Sequence, residues 1–135
     1  MRRVLLTFAM LSAAAACAAP ISLVHGGTSD FVIYRAADAP PSVLAAAQDL
    51  QDYLQRATGA KLSIVDEPAT RMICLGDNPS ARAAGLDVRA LPLEGFRLLT
   101  TGGNIYIAGP DTAADQRTVQ GGTSNGTANG VYTFL

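Results

Sequence analysis

Residues 41–65 read PSVLAAAQDLQDYLQRATGAKLSIV, and the change of period within them decides the fold class. Val43, Ala46, Ala47, Leu50, Tyr53, Leu54 and Ala57 recur at the three-and-four spacing that lines one face of an α-helix. Gln48, Gln51, Asp52, Gln55 and Arg56 fall on the other side. Pro41 suits the first helical turn, where its missing N–H is no loss, and Gly59 suits the position just past the end, where φ is often positive. Leu62 and Ile64 then alternate with Ser63, and Val65 follows, so the repeat has switched from 3.6 to 2. Fully burying Val43, Leu50 and Leu54 would contribute roughly 1.5–3 kcal/mol each. The helix therefore has to lie on an apolar surface, and a helix followed directly by a strand points to an α/β domain. Nothing in the stretch is chemically reactive.

Working outward, Phe31–Tyr34 is an apolar, partly β-branched run that reads as a strand. Ile21–Val24 is a shorter candidate strand, ended by His25-Gly26-Gly27. Downstream, Arg71–Leu75 reads as the next strand, and Asp77-Asn78-Pro79-Ser80 supplies a capping residue and a proline to start a short helix over Ala81–Leu86, interrupted at Gly85. Phe96–Thr101 and Asn104–Ala108 alternate on either side of Gly102-Gly103, the signature of a hairpin. Gly109-Pro110-Asp111 ends the second arm, and a polar loop runs to about Gly126. Thr127–Leu135 reads as a helix that Thr127 would cap, with Val131, Phe134 and Leu135 on one face. The sequence stops inside that apolar pattern, so the expectation is a domain truncated at its C-terminal end, with this face left in water.

The chain has 135 residues, enough for one domain. About 49% are hydrophobic and 16% charged, which favours a packed core over disorder. Residues 1–19 carry Arg2 and Arg3, then an apolar run from Val4 to Ala16, then small residues up to Ala19. This is the layout of a secretory signal peptide cut after Ala18 or Ala19, and it places the protein outside the cytoplasm, periplasmic or extracellular. Cys17 offers a second reading, as the lipidated residue of a bacterial lipoprotein signal in which Ala14 stands where Leu is usual. Without the leader, 8 basic residues face 11 acidic ones, an acidic balance that argues against nucleic acid as a partner. No remaining stretch approaches the roughly 18–20 apolar residues of a membrane span.

The reactive side chains are few. Cys74 is the one cysteine outside the leader, so neither an intramolecular disulfide nor a cysteine-based zinc site is expected; in its apolar run it reads as a buried, inert thiol. His25 is the only histidine. Ser22, Ser29 and Asp30 stand near it in sequence, yet no nucleophile elbow accompanies them, and a loop histidine is the simpler reading. Asp66 and Glu67 are adjacent, so in extended chain they point apart and make poor acid–base partners. The loop Gly121-Gly122-Thr123-Ser124-Asn125-Gly126-Thr127 has glycines at phosphate-loop spacing but Thr127 where the lysine belongs, and reads as a flexible lead into a helix. Asn125-Gly126-Thr127 is formally a glycosylation acceptor. No residue is assigned a catalytic, cofactor-binding or metal-binding role, and no cofactor is expected.

The order of these words is familiar: the strand Phe31–Tyr34; Ala-Ala-Gln-Asp-Leu-Gln-Asp-Tyr-Leu at 46–54; Thr58-Gly59-Ala60; Ile73-Cys74-Leu75-Gly76; Leu93-Glu94-Gly95-Phe96-Arg97; Asn104-Ile105-Tyr106-Ile107-Ala108-Gly109; and Gly130-Val131-Tyr132-Thr133-Phe134-Leu135. Over residues 28–135 the chain resembles the N-terminal α/β domain that precedes the catalytic barrel in bacterial α-glucuronidases, and is similar to the second domain of β-hexosaminidases. The resemblance implies a mixed β-sheet with helices packed on one side. It implies an accessory domain over residues 20–135 of an exported glycoside-hydrolase-like protein, with the catalytic barrel expected C-terminal to Leu135 and a polysaccharide or oligosaccharide as the parent's substrate. It transfers no catalytic residue to this chain, because the glycosidase carboxylates of those families belong to the barrel. The competing expectation is a carbohydrate-binding or surface-interaction module of a non-enzymatic secreted protein, which exposed aromatics on the sheet or loops would favour. The four tyrosines and four phenylalanines read mostly as core.

Overall fold

The structure, a computed structural model, describes residues 20–135; the leader expected over residues 1–19, with Cys17, lies outside the described residues. The elements run β1 (Val32–Arg35), α1 (Pro41–Thr58), β2 (Ile64–Val65), β3 (Met72–Leu75), α2 (Pro79–Ala83), a 3₁₀ turn (Val88–Ala90), β4 (Arg97–Thr101), β5 (Asn104–Ala108) and α3 (Gly126–Phe134). They form the expected mixed sheet, five strands in the order β2-β1-β3-β5-β4. All neighbours are parallel except the β4–β5 hairpin. Its two-residue link, Gly102-Gly103, has φ of 58° and 77°, the doubly left-handed turn that matches strand twist.

Parallel register sorts the side chains into two rows. Ile64, Ile33, Ile73 and Ile105 stand side by side across four strands, and with Leu75 and Ile107 they face Val43, Ala46, Ala47 and Leu50 of α1 and Val131 of α3. The next row, Val65, Tyr34, Cys74, Tyr106 and Leu99, points to the opposite face. The two long helices thus share one face. The second face is also covered, by Ala81 of α2, Leu86 and Val88, as a largely parallel sheet requires if both rows are to leave water.

Several local expectations change. Ile21–Val24 is not a strand: the Ser29 hydroxyl donates to the Leu23 carbonyl (2.5 Å) and Ser22 to that of Val24 (3.3 Å), so these groups pair locally rather than with the sheet. Ile21, Leu23 and Val24 nevertheless pack against the core. β2 is only two residues long, and just ahead of it the Leu62 carbonyl accepts from Nε2 of Gln51 at 2.6 Å. Gln51, read as part of the polar face of α1, is therefore buried, whereas Tyr53 is 53% exposed and Ala57 is exposed. α1 ends as read, at Gly59 with φ 79°. α2 starts two residues earlier than expected and stops at Ala83, ahead of Gly85 with φ 91°, leaving Leu86 as a buried anchor beyond it. On α3, Val131 is buried and Phe134 is packed against the core, so of the face expected in water only Leu135 is exposed.

Cys74 is fully buried under α2. Asn78 caps that helix by accepting from the Ala81 N–H (3.0 Å), while its amide donates to the Cys74 sulfur (3.3 Å) and to the carbonyls of Leu75 and Gly76 (3.1 Å each). Burial pushes the thiol up to about 11, against a smaller lowering by Asn78. Little thiolate exists at neutral pH, and thiolate is the reactive form. The native protein is expected to leave Cys74 unmodified by a thiol-specific chromogenic reagent, with full reaction only after denaturation; rapid native labelling would contradict the burial.

Candidate functional site

In an open parallel sheet the place to look for a site is the crevice outside the carboxyl ends of the strands, where the strand order reverses. Here β1 is followed by β2 on one side and β3 on the other, so the reversal lies between β1 and β3. α1, α2 and α3 all begin at this edge. Pro40, Asp77, Val88, Gly109, Pro110 and Asp111 line a cleft there of about 230 Å³, below the roughly 300–1,000 Å³ of small-molecule sites. Its polar groups are Asp77, after β3, and Asp111, after β5.

Both carboxylates are already engaged. Asp77 accepts two hydrogen bonds from the Arg82 guanidinium, at 2.8 and 2.9 Å. Asp111 reaches across to α3, where its Oδ1 accepts from the Thr127 N–H at 3.1 Å and its Oδ2 accepts from the Thr127 hydroxyl. Thr127 Oγ1 in turn accepts from the Gly109 N–H at 3.0 Å. The cap of α3 therefore comes from a distant aspartate, not from Thr127, and Asn125 at the cap position makes no side-chain bond. The Ser42 hydroxyl, in the first turn of α1, is buried beside Asp111 but completes no well-formed hydrogen bond.

A second carboxylate serves the same helix end. Glu94, held at φ 63°, accepts from the Asn125 N–H (3.2 Å) and from Nδ2 of Asn129 (2.9 Å), which also donates to the Glu94 carbonyl (3.1 Å). Ser124 closes the circuit by donating to the Pro110 carbonyl (2.6 Å) and accepting from the Glu94 N–H (3.0 Å). Beneath this network three backbones meet with no room for side chains. A Cβ on Gly109 would lie 2.7 and 2.8 Å from the Gly126 C and Cα and closer still to the Gly95 oxygen, and one on Gly130 would lie 2.6 Å from Cγ2 of Ile107. Glu94-Gly95-Phe96, Ala108-Gly109 and Gly130-Val131, three of the words that carry the family resemblance, thus converge at one junction, and the structure gives each glycine a packing reason.

Burial raises Asp111 above the ordinary carboxylate range; the Thr127 hydroxyl and N–H oppose that shift, and Glu94 adds to it. The folded state therefore binds this proton more tightly than the unfolded chain, and stability falls with rising pH. The contribution is fully present below the ordinary 3.8 and is lost as pH rises through the folded value. Replacing Asp111 with Asn is expected to flatten the decline in stability over that window, as read from urea midpoints measured across the acid range. An unchanged slope would mean that Asp111 does not carry it.

The other residues weighed in the sequence do not assemble. Ser29 donates to Leu23 and accepts from the Phe31 N–H (3.1 Å), and Asp30 pairs with Arg71 at 3.1 Å. His25, Ser22, Ser29 and Asp30 line a groove at the opposite, amino-terminal edge of the strands, but none of these bonds links serine to histidine or histidine to aspartate. Asp66 and Glu67 are exposed in the loop after β2. The glycine-rich loop does lead into α3, but Asp111 and Glu94 occupy that helix end with negative charge, which disfavours phosphate. Among the described residues no group of three or more His, Cys, Asp or Glu side chains comes together as a metal site. Sequence reasoning missed the Glu94–Asp111–Thr127–Asn129 network; the only local signal was the presence of glycines in the resembling words.

No family model and no curated protein matches the chain. Among solved structures, it is similar to a family GH115 4-O-methyl-α-glucuronidase with specificity for decorated arabinogalactans, with a TM-score of 0.57 and 20% sequence identity. The match covers 78% of this chain and 13% of the glucuronidase. A likeness at that identity is one of fold.

Proposed function

We propose that residues 20–135 form a non-catalytic N-terminal α/β domain of an exported glycoside-hydrolase-like protein of the α-glucuronidase type, whose catalytic barrel lies C-terminal to Leu135. The observation that carries this reading is the shared fold: over 78% of its length the chain resembles a small part of a large α-glucuronidase. The chemistry of the cleft agrees. Glycoside hydrolysis needs two carboxyl groups flanking one bond, one free to donate a proton, whereas Asp77 is committed to Arg82 and Asp111 to Thr127. The parent's substrate is then a polysaccharide or oligosaccharide bearing uronic acid.

The test is to express residues 20–135 and the longer reading frame side by side and assay both on aryl glucuronides, aryl hexosaminides and decorated xylan and arabinogalactan oligosaccharides. The short chain is expected to be silent and the longer one active on a glucuronide. Turnover by the short chain that survives purification to homogeneity would overturn the reading. Export follows from the leader pattern: intact-mass analysis of the mature protein is expected to find an N-terminus near Ala19 or Pro20, with a diacylglyceryl mass on Cys17 marking the lipoprotein route instead. A chain still beginning at Met1 would defeat both. No helix among the described residues is long and apolar enough to cross a membrane.

One observation favours the second reading, a carbohydrate-binding module. Tyr53 and Tyr132 are each 53% exposed, on helices α1 and α3, which pack together and are tied by the Tyr132 hydroxyl donating to Asp49 at 2.7 Å. Arg56 lies over the Tyr53 ring at 5.8 Å. Affinity electrophoresis in gels containing arabinogalactan or xylan separates the readings: retardation of residues 20–135 that is lost in Tyr53→Ala or Tyr132→Ala would favour binding, and unretarded migration the accessory domain.

A further inference from the structure

We draw no further inference here: the strongest candidate, the groove at the amino-terminal edge of the sheet between His25, Asp30, Arg71 and the Gly102-Gly103 turn, starts at Pro20, where residues outside the described structure attach, and nothing in the structure shows what covers it.

Discussion

Replacing Gly109 with Ala is expected to destabilise the domain by on the order of 3 kcal/mol, at the upper end of what overpacking costs. The added carbon would lie 2.7 Å from the Gly126 carbonyl carbon and 2.8 Å from its Cα, and closer still to the Gly95 oxygen. All three obstacles are backbone atoms, so no side chain can turn aside. Relief requires β5, the 94–95 turn or the start of α3 to move, and each is held by the others: Gly126 N–H to Pro110 (3.0 Å), Gly109 N–H to Thr127 (3.0 Å) and Asn125 N–H to Glu94 (3.2 Å). Gly122→Ala is the control. Its Cβ would meet only Thr118 Oγ1, at 3.8 Å, and a change within about 0.5 kcal/mol is expected for such a surface position. Urea melts of both variants decide the matter, and equal midpoints for the two would show that the junction yields.

Leu50→Ala is expected to cost about 2–5 kcal/mol. Leu50 is fully buried between α1 and the sheet, in the cluster that includes Ile33, Ile73 and Val131. Truncation removes apolar contact and leaves a cavity that the neighbours cannot readily fill, because the isoleucine row is fixed by strand register and α1 is tied at its middle. Gln51 ties it to Leu62, and Tyr132 of α3 ties it at Asp49. Leu44, on the same helix but 40% exposed, serves as the comparison: Leu44→Ala is expected to cost much less. A loss at Leu50 no greater than at Leu44 would mean that the buried face of α1 is assigned wrongly.

Much of the fold was legible because its signals are local. The apolar spacing of Val43, Ala46, Ala47 and Leu50, the stop at Gly59, the Asn78-Pro79 signal and the Gly102-Gly103 turn each act within a few residues, and the structure uses all four, with α2 beginning at Pro79 itself, two residues ahead of the expected start. The failures came where a side chain won a backbone carbonyl or where a helix flank lay beyond the sheet. Gln51 looked polar by position, but the Leu62 carbonyl, 11 residues on, draws it inward. Ile21–Val24 has strand composition, yet the nearby serine hydroxyls take two of its carbonyls. Tyr53 continues the apolar pattern of α1 but falls on a flank that the sheet does not reach.

The cleft was less legible still. Asp111 and Thr127 are 16 residues apart, and Glu94 and Asn129 are 35 apart, separations at which no periodicity or capping rule operates. Nothing in the sequence distinguishes a carboxylate free to move a proton from one spent on a helix end, since that depends on which donors the fold brings to it. Sequence by itself determined the secondary-structure alternation, the hairpin and the apolar face of α1, because propensity and period are properties of neighbouring residues. Only the tertiary structure decided that Asp77 and Asp111 are held by Arg82 and Thr127, and that Gly95, Gly109 and Gly126 meet, because hydrogen-bond partners and steric room are set by chain segments that approach one another only once the sheet has formed.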